Sequence, residues 1–287
     1  MYKTLDEYLD ALKKEMRGMD HATVQDALSD AEEHLRTALA SDSRSLSTAI
    51  EEYGSPAEIA AGYAEVERRI PVPAGGSQAK KERTGFASFF AVYTDSQAWG
   101  ALFYMLIALL TGIVYFSWAV IGVSLSISLS VFIFGLPLAL LFLLSVRKIS
   151  WVEGRLVETL LGVRMPRRSL PTPQNAKLLV KITALLKDKR TWFSLLYMFT
   201  QFVLGIVYFV VLVTVLSLAL SVTAIPILQE VFHLPVAQSA TVHYYMPQWG
   251  YPLAVLGGIL LWTGMMHLAK FIGNLHGRYA KRMLVTA

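Results

Sequence analysis

"GIVYFSWAVIGVSLSISL" fills positions 112–129, and its first five letters return at 205–209 at the head of "GIVYFVVLVTVLSLAL". Both copies lie in long uncharged stretches. No Asp, Glu, Lys or Arg occurs between Ala101 and Val146 or between Thr191 and Gln229, and a third apolar stretch covers Tyr251–Ala269. Ala101–Val146 holds 46 positions, whereas one helix crosses a bilayer with about 20 residues. It therefore reads as two crossings with a turn near "SLSISLS" at 124–130. Four spans are predicted, at 101–123, 127–146, 195–220 and 251–269.

The return of GIVYF extends in both directions. At the same offset of 93, Asp95 meets Asp188, Trp99 meets Trp192, Tyr104 meets Tyr197, Met105 meets Met198, and Ser124–Leu125 meets Ser217–Leu218. Further on, "EGRLVETLLG" (153–162) aligns with "HGRYAKRMLV" (276–285) at an offset of 123, so the second copy carries 30 extra residues, mainly between its two spans. Matches at this spacing mark a duplication, with one repeat at about 95–165 and another at about 188–287. Each repeat crosses twice, so both are expected to insert alike, related by an axis along the membrane normal.

Composition agrees. The 287 residues are 54% hydrophobic and 16% charged, with a mean hydropathy of +0.47, where a soluble protein carries about 25% charged residues. Cysteine is absent, which excludes disulfides and thiolate chemistry. No apolar leader precedes Ala101.

Charge separates two regions. Residues 1–70 carry fifteen Asp/Glu against eight Lys/Arg, a net of −7; residues 71–287 carry six against eighteen, a net of +12. The acidic front region would be repelled by nucleic acid, and the basic residues flank apolar spans where anionic lipid is the counterpart. All 26 Lys/Arg fall in three places: 11 in 1–100, 11 in 147–190 and 4 in 270–287. By the excess of basic residues in cytoplasmic loops, both termini and the central linker are expected in the cytoplasm. The sizeable external feature is then about 225–250.

The front region reads as four short helices. "TLDE" is a capping box on Thr4 and Glu7, followed by Leu5, Tyr8, Leu9, Leu12 and Met16 on one face. Gly18 stops that helix and Asp20 caps the next, striped by Val24, Ala27, Leu28, Ala31, Leu35 and Leu39. Leu46, Ala49, Ile50 and Tyr53 form a short third helix ended by Gly54. In "GSPAE", Gly54 suits a left-handed cap, Ser55 is an N-cap, Pro56 takes the first helical position and Glu58 completes a box. Ile59, Tyr63, Val66 and Ile70 face inward on the fourth helix. The expected architecture is all-α. A cytoplasmic helical domain (1–70) and a linker (71–98, with Lys80, Lys81 and Arg83 near the membrane) precede a polytopic membrane domain (99–287) built from two parallel repeats.

"LDEYLDALKKEMRG", "ALSDAEEHLRTAL" and "IEEYGSPAEIAAGYAE" resemble the HAAS (helix-turn-helix-associated alpha-helical signalling, DUF1700-like) domain. "GIVYFSWAVIGVSLSISL", "ETLLGVRMP", "LLKDKRTWFSLLYMF" and "GIVYFVVLVTVLSLAL" resemble the "putative sensor" family of bacterial membrane domains. The resemblance implies a signalling role without catalysis. HAAS domains precede membrane segments and lie near PadR-type regulators, and the sensor domains often precede histidine kinases. No kinase or DNA-binding module follows the last span here, so output is expected through the front domain or the central linker.

No P-loop, nucleophile elbow, HExxH or dinucleotide fingerprint is present. Glu32, Glu33 and His34 read as a helix surface, and His276 as part of an amphipathic stretch. His267 lies where it can snorkel at the end of the last span. Glu230, His233 and His243 share the external loop and form a candidate pH- or metal-responsive site beside the plainer reading of solvated side chains. The spans hold no ionisable Asp, Glu, Lys or Arg, which argues against ion-coupled transport. Tyr115 and Tyr208 are equivalent by the repeat, with Gly112 and Gly205 permitting close approach, and form a candidate packing or ligand interface. Gly54, Ser55 and Pro56 are candidate structural residues at a helix junction. No cofactor or metal is called for. The expected function is a non-enzymatic sensor of the bacterial inner membrane, the alternative a transporter or its accessory subunit. Expected partners are the lipid bilayer, a protein bound through the acidic domain and a second copy of the chain.

Overall fold

The computed structural model describes residues 2, 4–41, 45–69, 89–129, 135–166, 178–239 and 242–285. The proposed linker with Lys80, Lys81 and Arg83, and Ile70, lie outside them. The front region folds as α1 (Leu5–Glu15), α2 (His21–Ser41), α3 (Leu46–Tyr53) and α4 (Pro56–Arg69). Its ends are closed locally. Glu7 N–H donates to Thr4 Oγ1 at 3.2 Å, and Ala22 N–H to Asp20 Oδ1 at 2.8 Å. Around α4 the box is reciprocal: Ser55 N–H reaches Glu58 Oε2 at 2.8 Å while Glu58 N–H reaches Ser55 Oγ at 3.3 Å. Gly54 has φ 115° and ψ 161°. This is extended rather than left-handed helical, a region essentially confined to glycine. Tyr8, Leu12, Met16, Ala27, Ala31, Leu35, Ala49 and Ala60 form the core. Tyr8 donates to Gly54 O at 2.9 Å, and burial pushes its hydroxyl pKa up to about 12. Leu39 and Val66, expected inside, are 37% and 49% exposed, each toward the end of its helix.

The membrane domain supplies α5 (Ser96–Leu129), α6 (Gly135–Leu161), α7 (Leu178–Lys187), α8 (Lys189–Glu230) and α9 (Tyr251–Leu284). A short hairpin, β1 (Ala237–Gln238) with β2 (His243–Tyr244), separates α8 from α9. Four of these helices are long and apolar enough to cross a membrane. Their side chains show the solvent they expect: Leu110 is 62% exposed, Ile127 67% and Val203 59%. Water would oppose this, and lipid does not.

The helices outrun the predicted spans. α5 has 34 residues and α8 has 42, about 51 and 63 Å at 1.5 Å per residue, against a hydrocarbon layer of about 30 Å. The expected turn at 124–130 is corrected over its described part: α5 runs through Leu129, and residue 130 lies outside the described residues. Serines alone carry no breaker, since their hydroxyls bond back along a helix. The loop expected at 225–250 likewise starts after Glu230, with Pro226 inside α8.

The chain divides into two compact units: Met1–Gln78, Ser117–Met198 and Gly277–Ala287 make one, Ala79–Phe116 and Phe199–His276 the other. In the second unit α5 and α8 meet backbone to backbone. A Cβ on Gly112 would lie 2.8 Å from Gln201 O, and one on Gly205 would press into Ala108 O. Subtracting 93 from Gln201 gives Ala108, and from Gly205 gives Gly112, so the two contacts are one contact written twice. Nearby, Phe116 stacks on Phe202 with centroids 4.7 Å apart. In the first unit, the α5–α6 hairpin packs Gly122 under the Phe142 ring and joins Trp118 Nε1–H to Ser145 Oγ at 2.8 Å.

The duplication extends to single hydrogen bonds. Trp99 Nε1–H donates to Tyr93 O at 2.9 Å, and its counterpart Trp192 to Leu186 O at 2.8 Å. Asp95 Oδ1 accepts from Gln97 N–H at 2.9 Å, and Asp188 Oδ1 from Arg190 N–H at 3.0 Å. Each aspartate caps the helix that begins its repeat.

Candidate functional site

In the second unit, α5, α8 and α9 bring Tyr104, Gln201, Tyr208 and His276 together. Gln201 is fully buried, Tyr104 and His276 are 1% exposed and Tyr208 is 8%. Gln201 Nε2–H donates to Tyr104 Oη at 3.0 Å; Tyr104 Oη lies 2.7 Å from His276 Nε2, and Tyr208 Oη 3.1 Å from His276 Nδ1. With a neutral imidazole, one proton direction serves all three bonds: Gln201 to Tyr104, Tyr104 to Nε2, and Nδ1–H to Tyr208. Gln201 Oε1 is buried without a hydrogen-bond partner among the described residues. An unpaired acceptor there costs stability, whereas the three bonds that are made fix the arrangement of the helices.

The first unit contains the counterpart. Tyr197 donates to Glu153 Oε1 at 2.8 Å, with Tyr197 1% exposed and Glu153 fully buried. The Tyr279 ring stacks on Tyr197 at 5.6 Å. Tyr197 is Tyr104 moved by 93, and His276 is Glu153 moved by 123. The ion pairs obey the same arithmetic: Lys270 with Asp95 in the second unit, Arg147 with Asp188 in the first. Each pair joins the opening helix of one repeat to the closing helix of the other.

The first unit also ties the front domain down. Lys281 Nζ, in the last turn of α9, reaches Asp20 Oδ2, whose other oxygen caps α2. Arg190 Nη1–H, in the first turn of α8, donates to Gln25 Oε1 at 2.9 Å. Beside these contacts lies a cleft of about 80 Å³ lined by Gln25, Arg147, Ser150, Trp151, Arg190 and Ser194 among others. Its volume is well below the roughly 300 Å³ at which drug-sized ligands begin to fit.

The residues singled out in the sequence fall in different places. Gly112 and Gly205 sit at the α5–α8 contact, and Tyr115 is buried at 7% exposure. Tyr208 commits its hydroxyl to His276. In the α8–α9 connection, Glu230 Oε1 accepts from Tyr251 Oη–H at 2.9 Å, His233 adopts φ 50°, and His243 is exposed on β2. Among the described residues no three His, Asp or Glu side chains converge as for a metal. His267 lies 2.9 Å from Phe89 O through Nε2 and stacks on the Phe89 ring. His34 packs 4.8 Å from the Tyr53 ring, and Glu32 pairs with Arg36. Ser55 and Pro56 form the α3–α4 junction with Gly54. His276, read as part of an amphipathic stretch, lies on its buried side. Glu153, Tyr104, Tyr197 and Gln201 were not anticipated. A signal existed: "EGR" and "HGR" open on Glu153 and His276, and Tyr104 and Tyr197 stand among the matched pairs.

A family model described as "Putative sensor" matches residues 104–284, and a model described as HAAS matches residues 7–62. Neither a curated protein nor a solved structure matches the chain.

Proposed function

The chain belongs to the "Putative sensor" family and carries a HAAS domain at its front, and on that premise we propose that it is a non-enzymatic signalling protein of the bacterial inner membrane. In this reading both termini lie in the cytoplasm, the repeated membrane domain responds to the state of the envelope, and the front domain passes that response to a protein partner. The observation that carries it is the pair of ties from the ends of α8 and α9 to the start of α2: Arg190 to Gln25 and Lys281 to Asp20. A shift of either helix end moves the α2 N-terminus and the acidic face behind it. The buried Tyr104–His276 and Tyr197–Glu153 bonds support the same reading, since paired polar contacts in an apolar domain favour discrete arrangements over gradual ones.

Two measurements test it. A reporter active only outside the cytoplasm should be silent when fused at position 170 and active at Ser239; the reverse pattern refutes the orientation. Because the chain has no cysteine, Asp20→Cys with Lys281→Cys gives a clean pair for a short bis-thiol cross-linker. Its yield should change when membrane composition or tension changes. A constant yield makes the contact a static support and removes the signalling reading.

A further inference from the structure

The connection from α8 to α9 presents an uncovered apolar surface. Residues 231–250 contain no Asp, Glu, Lys or Arg. Phe232, Leu234, Val236, Val242, Tyr244 and Trp249 are all exposed, Phe232 at 62% and Trp249 at 75%. A two-stranded hairpin is marginal in water unless its apolar face packs on something, and here both strands are exposed and only two residues long. A contiguous apolar patch of this kind marks a contact surface.

Depth identifies what covers it. Lys270, paired with Asp95, ends the apolar run of α9 at one side. Tyr251 lies 19 positions earlier, about 28 Å at 1.5 Å per residue, against a hydrocarbon layer of about 30 Å. Tyr251 therefore stands at the opposite edge of that layer. α8 ends at the same level. A Cβ on Gly258 would press into Thr223 Oγ1 and lie 2.8 Å from Ala219 O, which sets the antiparallel register. Tyr251 Oη–H then meets Glu230 Oε1 at 2.9 Å. The connection thus begins and ends among lipid headgroups. It is also held there. Met246 N–H donates to Gln229 Oε1 at 3.0 Å, and Gln229 Nε2–H donates to Met246 O at 3.2 Å. Leu234 N–H returns to Leu228 O at 3.0 Å around His233, whose φ is 50°. The chain turns across the helix ends instead of running on along α8.

The hairpin has two different faces. Ala237 pairs with Tyr244 and Gln238 with His243, and Ser239 N–H donates to Val242 O at 2.9 Å. Side chains alternate along a strand, so Val242 and Tyr244 share one face and Gln238 and His243 the other. Tyr and Trp, with an apolar body and a polar tip, concentrate at bilayer surfaces. The lipid-facing sides of α8 and α9 run directly into this patch, since Ile227 before it and Leu253 after it are exposed as well.

We propose that the α8–α9 connection is an interfacial anchor, with Phe232, Trp249 and the Val242–Tyr244 face of the hairpin seated between headgroups and acyl chains. Its partner is a lipid surface recognised by apolarity rather than by charge, because residues 231–250 offer no Lys or Arg to an anionic lipid. Such seating follows from the membrane domain alone and holds whether or not the front domain signals.

The chain has no cysteine, so Phe232→Cys, Val242→Cys and Gln238→Cys each give one fluorophore site in the full chain. The labelled proteins are placed in phosphatidylcholine nanodiscs, whose two faces are both open to water. Quenching by a lipid with a nitroxide headgroup is compared with quenching by aqueous iodide. The ratio of lipid-borne to aqueous quenching should be about tenfold higher at 232 and 242 than at 238, the partition that one seated apolar side chain supports. Tyr244→Cys, on the face of Val242, repeats the reading if Phe232→Cys does not fold. Exchanging phosphatidylcholine for phosphatidylglycerol should leave the ratios unchanged. Equal ratios at the three sites overturn the anchor. Protection of 232 and 242 from both quenchers means that protein covers the face, a second copy or another chain, and overturns the lipid assignment. Ratios that rise only with phosphatidylglycerol overturn recognition by apolarity.

Discussion

Adding one methyl group at the α5–α8 contact tests the duplicated packing most directly. A Cβ at Gly112 would lie 2.8 Å from Gln201 O and 2.9 Å from Phe202 Cα; at Gly205 it would press into Ala108 O and lie 2.8 Å from Ala108 C and 3.0 Å from Leu109 Cα. All of these are backbone atoms, which cannot rotate away as a side chain can, so relief requires the helices to separate. Overpacking costs about 1–3 kcal/mol, and a rigid neighbour puts both sites in the upper half of that range. Replacing glycine by alanine within a helix returns about 0.5–1 kcal/mol. That return is isolated by Gly264→Ala, whose Cβ meets nothing within 4 Å. The comparison with this control therefore leaves about 2–3 kcal/mol, or about 4–12 °C in a domain of this size. The assay is thermal unfolding of the purified protein in detergent. Gly112→Ala and Gly205→Ala should fall by similar amounts below Gly264→Ala. If all three melt together, the backbone contact is absent and the equivalence of the two sites fails with it.

Tyr197→Phe should destabilise by about 1–3 kcal/mol by removing a donor from the buried Glu153 carboxyl. Tyr104→Phe should cost more, because both Gln201 and His276 lose a partner; equal melting of Tyr104→Phe and wild type would remove the cluster. Glu58 is held below its ordinary value of 4.5, chiefly by the Ser55 N–H and then by the Ser55 hydroxyl. A depressed carboxyl contributes stability above its unfolded value and loses it as pH falls through the folded one. The gap between wild type and Glu58→Gln should thus be full at pH 7 and close below pH 4.5, which melts across that range will show. Residues 1–70 should be soluble and helical by circular dichroism, since the core and caps of α1–α4 are made within them; a random coil would mean that the core depends on other parts of the chain.

Much of the fold was legible because it is local. Caps at Thr4, Asp20 and Ser55 act within three residues, so a short quotation suffices to see them. Hydropathy fixed the number of crossings but not the helix ends. Apolarity reports where lipid is, whereas Lys, Arg and Ser continue a helix into water without strain, as α8 does from Lys189 and α5 through Leu129. Charge alone divided the chain into an acidic front and a basic remainder, and offsets of 93 and 123 revealed the duplication.

Only the tertiary structure decided which residues meet. Tyr104 finds His276 across 172 positions, and Tyr197 finds Glu153 across 44. The repeat arithmetic makes these pairs equivalent, but it does not state that each opening helix bonds the closing helix of the other repeat. That choice depends on helix register and crossing, summed over many weak apolar contacts with no sequence signature of their own. The same holds for Arg147 and Arg190. In sequence they bracket a charged linker, and packing of α6 and α8 brings their guanidiniums to one cleft.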